Sequence, residues 1–98
     1  MQIEDILWLE GVADKIQAKH GVGTWEVEEV FRRGPEFRCG GKGRRNGEDL
    51  YYALGQTSAG RYLFIVLIRK RGNRALVLTA RDMSEREKQG YRRRKKHG

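Results

Sequence analysis

One near-continuous apolar run, residues 62–68, does most to limit the folds open to this chain. Tight-turn signals bound it on both sides: Ser58-Ala59-Gly60 before it and Gly72-Asn73 after it. It is strand length, far short of a membrane span. An apolar run of this kind is the pattern of a central strand with both faces covered. Asn and Gly tolerate the positive φ that a short hairpin requires. The run therefore predicts the middle strand of an antiparallel meander, over 61–69, with flanking strands over 50–57 and 74–80.

The remaining elements follow from periodicity and capping. Residues 3–8 fit a short edge strand or a helix entry. Leu9, Val12, Ala13 and Ile16 fall on one face of a short helix, which His20-Gly21 ends. Thr24 is placed to cap a second helix, with Val27, Val30 and Phe31 as its apolar stripe and Gly34-Pro35 as its stop. Residues 36–47 mix four glycines with Lys42, Arg44 and Arg45 and read as a mobile basic loop. Ser84, with Glu87 three residues on, forms a capping box opening a last helix that runs to about Tyr91. Two N-terminal helices, a β-meander and a C-terminal helix define an α+β chain. Residues 1–91 make a single domain, and 92–98 a flexible basic tail.

Charge is distributed unevenly. From Arg69 onward twelve Lys and Arg face three acids, whereas the first 31 residues carry seven acids and two lysines. With a net charge of +8, nucleic acid is the first partner to consider. A solvated face with a basic tail is the plainer explanation. Glu4 and Asp5 stand where a signal peptide would be basic, so the chain reads as cytoplasmic, with no membrane partner. A single Cys39 and two histidines do not supply a four-ligand structural metal site, and no cofactor is expected. The glycines at 40–47 match no phosphate-binding loop.

Several residues could carry chemistry, each with a structural alternative. Arg81 sits between the third strand and the capped helix, where a guanidinium and a helix N-terminus suit a phosphate; pairing with Asp82 or Glu85 is the alternative. Arg69, Lys70, Arg71 and Arg74 surround a hairpin tip and could track a nucleic-acid backbone, or simply keep an edge soluble. His20, preceded by Lys19, could exchange protons near neutrality or serve the helix dipole. Glu87 and Tyr91 lie four apart on one helix face. The first could take a proton or act only as a cap, and the second could stack on a base or pack in the core. Trp8, Trp25, Tyr51, Tyr52 and Tyr62 read as core or interface. Arg92 and Arg93 extend the basic stretch.

An ordered set of motifs carries a resemblance: Lys19-His20-Gly21-Val22, Glu26-Val27-Glu28-Glu29-Val30-Phe31, Gly47-Glu48-Asp49, Ala53-Leu54-Gly55, Gly60-Arg61-Tyr62-Leu63, Thr79-Ala80-Arg81-Asp82-Met83-Ser84, then Glu87 and Tyr91. Across about residues 8–91 the chain resembles the BrnT family of bacterial toxins. The resemblance implies a RelE-like fold and a metal-independent ribonuclease that inhibits translation by cutting mRNA. It also implies a BrnA-like ribbon-helix-helix antitoxin, through which alone operator DNA would be bound. His20, Arg71, Arg81, Glu87 and Tyr91 match recurring family positions. On this reading Arg81 and Arg71 would hold the scissile phosphate, Glu87 or His20 would move protons, and Tyr91 would orient a nucleotide. The sequence departs from the family at Leu50 and Leu76, where Arg is usual, and at Trp8-Leu9, where Trp-Asp is common. A catalytically weak or inactive RNA- or protein-binding module of the same fold is the alternative. A single-stranded RNA-binding protein using Tyr91 and the tail is a third reading.

Overall fold

The structure, a computed structural model, describes residues 1–41 and 48–97, for His97 the backbone alone. The chain runs β1 (Asp5–Trp8), α1 (Val12–His20), α2 (Thr24–Arg33), β2 (Glu36–Gly41), β3 (Asp49–Gln56), β4 (Tyr62–Lys70), β5 (Arg74–Asp82) and α3 (Glu85–His97). The class is α+β. The strands form one mixed sheet in the order β1-β5-β4-β3-β2, with β1 parallel to β5 and every other pair antiparallel.

The meander is present as expected. Its β4–β5 turn places Gly72 and Asn73 at φ 78° and 56°, which the absent or short polar side chains tolerate. One open alternative is decided and four expectations change. The segment at 3–8 resolves as a strand rather than a helix entry, so both first helices lie after a strand. Its parallel pairing with β5 makes the sheet mixed, not purely antiparallel. The glycine-rich stretch begins with a real edge strand, because β3 supplies ladder partners from Glu36↔Leu54 to Gly41↔Leu50; the rest of that expected loop, 42–47, lies outside the described residues. The last helix continues past Tyr91 to His97, so residues 92–97 are helix. Arg and Lys are good helix formers, and their long side chains can point to solvent. Thr24 is the first residue of α2, and Gly23 takes the cap position with its N–H bonded to Glu26 Oε1 at 3.0 Å.

The sheet has two unlike faces. On the inner face Leu63, Ile65 and Leu67 of β4, with Ala75, Val77 and Ala80 of β5, pack against Ile16, Val27 and Val30 of α1 and α2. Gly55 of β3 allows that approach: a Cβ there would stand 2.5 Å from Val30 Cγ1. On the outer face a smaller cluster of Leu54, Met83 and Tyr91 is joined by Tyr52, Tyr62 and Phe64. Tyr91 is the only large apolar residue of α3, and it anchors that helix edge-on to Tyr62, ring centroids 6.0 Å apart. At its far end Arg94 Nε donates to both Glu36 oxygens at 2.8 Å, tying α3 to β2.

Candidate RNA-binding groove

The end of β5 and the start of α3 build the most constrained polar arrangement on the outer face. Ser84 and Glu87 form the capping box: Glu87 Oε1 accepts from the Ser84 N–H at 2.8 Å, and the Glu87 N–H donates to Ser84 Oγ at 3.2 Å. The same carboxylate receives both Arg81 Nη atoms, at 2.8 and 2.9 Å. Arg81 thus pairs with Glu87, not with Asp82 or Glu85 side chains. Its guanidinium also lies 4.3 Å from the Phe64 ring centroid. The Arg81 hydrogen bonds push the Glu87 carboxyl down to about 2, and Glu87 holds Arg81 firmly protonated. A carboxylate so acidic is a poor proton acceptor near neutrality; it orients the guanidinium.

Beside this pair a groove of about 680 Å³ runs between α3 and the β2–β3–β4 surface. Tyr52, Leu54 and Phe64 form its floor, with Tyr52 and Phe64 in contact at 5.0 Å between centroids. Arg38 stands on the β2 side, and Arg86, Arg93 and Arg94 on the helix side. Arg38, Arg86 and Arg93 are exposed and make no ion pair among the described residues. Aromatic faces under unpaired cations are the combination that holds a single strand: bases stack and guanidinium groups meet phosphates.

The residues picked from the sequence do not gather at one point. Arg81 and Glu87 touch, and Arg93 lines the groove beside them. Arg71 sits at the other end of β5, next to Arg74, whose Nε donates to the Arg71 carbonyl at 2.8 Å. Seven residue steps of strand lead from Arg74 to Arg81, roughly 23 Å, too far for one phosphate. The joint grip by Arg81 and Arg71 is thereby corrected. Arg69 and Lys70 share that distant tip, engaged with Asn73 and Glu48 respectively. Tyr91 is 3 % exposed, and its hydroxyl accepts from Lys95 Nζ at 3.2 Å. It cannot serve as a stacking platform and is a core residue. Arg92 lines a shallow depression on the other side of Tyr91. Lys19 is exposed on α1.

His20 belongs to a different cluster. Arg61 donates to the His20 and Gly21 carbonyls at 2.9 and 2.7 Å, to Glu26 Oε1 at 3.0 Å and to Asp82 Oδ1 at 2.7 Å. Those bonds draw the Asp82 carboxyl down, helped by the nearby charges of His20 and Lys88. Asp82 and Arg81 are successive strand residues and project to opposite faces. His20 therefore lies on the side of α1, away from the groove. Phe64, Arg38, Arg86 and Arg94 escaped the sequence reading, which took Tyr52 for core or interface. The available signal was parity: both aromatics sit one residue from a fully buried position in their strands.

A small, basic α+β domain with an arginine-walled aromatic groove is a combination suited to a polyanionic strand. The family is specific: the model for "Ribonuclease toxin, BrnT, of type II toxin-antitoxin system" matches residues 8–87, and the chain belongs to that family. No curated protein matches it. No helix of the described residues is long and apolar enough to cross a membrane.

Proposed function

We propose that this chain is a metal-independent endoribonuclease of RelE-like fold that acts in the bacterial cytoplasm, cuts mRNA and so inhibits translation. A BrnA-like ribbon-helix-helix antitoxin neutralises it, and operator DNA is bound only through that partner. The observation that carries the reading is Arg81, fixed by Glu87 and seated on Phe64 at the edge of a basic, aromatic-floored groove. RNA lies in the groove with bases on Tyr52 and Phe64 and its backbone along Arg38, Arg86 and Arg93. The ribose 2′-OH attacks the adjacent phosphate and gives its proton to water, the 2′,3′-cyclic phosphate forms as the P–O5′ bond breaks, and the leaving 5′-oxygen takes a proton from water. Arg81 stabilises the charge that builds on the phosphoryl oxygens. Glu87 is its positioning residue. Arg69, Lys70, Arg71 and Arg74 bind RNA beyond the cleavage point, while His20 and Tyr91 act through the fold.

The test is cleavage of single-stranded RNA by the purified chain in EDTA. Arg81→Ala should lower the rate by about a hundredfold to a thousandfold, and Arg71→Ala by no more than about threefold. Equal rates for wild type and Arg81→Ala would remove Arg81 from the site.

A second reading, a binding module with little cleavage, is favoured by Leu50 and Leu76. Both stand on the outer face, flanking Ile68 in one cross-strand row. RNA that shifts in a gel yet stays intact would select it.

A further inference from the structure

Away from α3, the outer sheet face carries apolar residues that the described residues leave only half-buried. Register places Leu7, Leu76, Ile68 and Leu50 in one row across four strands. Their strand neighbours Ile6, Trp8, Val77, Leu67 and Tyr51 face the inner core, so this row points outward. All four are half-buried and belong to neither hydrophobic cluster. Val66 and Tyr52, paired with each other, lie between this row and the groove, so the apolar strip runs without a break onto the groove floor. The row itself carries neither an aromatic ring nor a cation, the Lys70–Arg74 pair lying one step beyond it at the hairpin end, so its middle suits apolar side chains rather than a nucleic-acid backbone. Four strands span roughly 14 Å between outer backbones, about the length of ten helical residues. Arg38, Arg86 and Arg93, which line the groove beyond the strip and make no ion pair among the described residues, suit carboxylates.

We infer that the row Leu7, Leu76, Ile68 and Leu50 seats an amphipathic helix of the antitoxin, whose acidic residues reach the groove arginines and close it to RNA. The assignment rests on the family's pairing with an antitoxin, not on cleavage. Binding energy comes from apolar side chains laid against the strip, and register from the charges at its groove end. One segment then both attaches and inhibits.

The experiment is isothermal titration of the chain with the protein encoded beside it as its antitoxin, with RNA cleavage assayed separately on the same samples. Ile68→Thr/Leu76→Thr keeps residues suited to strands and should weaken the complex about tenfold or more. Leu50→Glu should weaken it and Leu50→Lys should weaken it less, since only the first repels an acidic helix. Antitoxin bound equally by all these variants would overturn the proposal. So would a wild-type chain that sediments alone as a dimer and becomes monomeric with the double substitution, because a second copy would then own the strip. Absence of cleavage by the wild type would defeat the catalytic reading and leave the titration intact.

Discussion

Ile65 and Phe64 are neighbours on β4, yet they belong to different worlds. Ile65 faces α1 and α2 with no exposed surface; Phe64 faces outward, half-buried under Arg81. Strand alternation makes the division on β4, and a register shift opposite Val66 and Leu67 changes the parity of β5 so that Ala75, Val77 and Ala80 all stay inside. The inner face is closed, apolar and made by this chain alone. The outer face is only partly covered by α3, which touches it through one large apolar residue. What remains is aromatic and cationic at one end and aliphatic at the other. A continuous apolar run therefore encodes two things at once: a core on odd positions of β4 and a working surface on even ones.

The largest effect should separate these faces most sharply. Ile65→Ala leaves a cavity against α1 and α2 and should cost about 2–5 kcal/mol of stability, read by urea unfolding. Phe64→Ala should cost less stability and instead weaken RNA binding about tenfold to hundredfold, since a stacked base loses its platform. Filter binding at fixed salt reads that loss. If Phe64→Ala unfolds the chain as readily as Ile65→Ala and folded protein binds RNA normally, the outer face is merely a second core.

The division also explains what the sequence disclosed. The meander, the Gly72-Asn73 turn and the Ser84/Glu87 capping box are local devices, written in adjacent residues, and all three appear. The β1–β5 pairing joins distant segments through four residues, too short for periodicity to mark. Cys39-Gly40-Gly41 has little strand propensity of its own and is strand only because β3 lies beside it. Site geometry was hidden for the same reason. Arg71 and Arg81 are ten apart in sequence but at opposite ends of β5, which becomes plain only once a straight strand joins them. Tyr91 could have been placed: the only large apolar residue of a charged helix must be its anchor. Glu87 was legible as a cap, and its grip on Arg81 waited on the turn at 82–84.

The smallest effect probes that grip. Glu87 is depressed in the folded chain to about 2 from an ordinary 4.5. A depressed carboxyl stabilises the fold fully above its unfolded pKa, and that stabilisation fades as pH falls through the folded value. Wild type should therefore exceed Glu87→Gln by about 1 kcal/mol at neutrality, a modest figure because Arg81 is open to solvent. The gap should hold from neutral pH down to about 4.5, narrow below it and close near 2, followed by thermal melts across that range. Asp82 shifts in the same direction through Arg61 and is common to both proteins, so it drops out of the difference. Because Glu87 stays ionised throughout the neutral range, the pH profile of RNA cleavage should carry no ionisation from it between about 5 and 8. An ionisation in that range that Glu87→Gln abolishes would make Glu87 a proton carrier after all, and would mean that bound RNA draws Arg81 away from it.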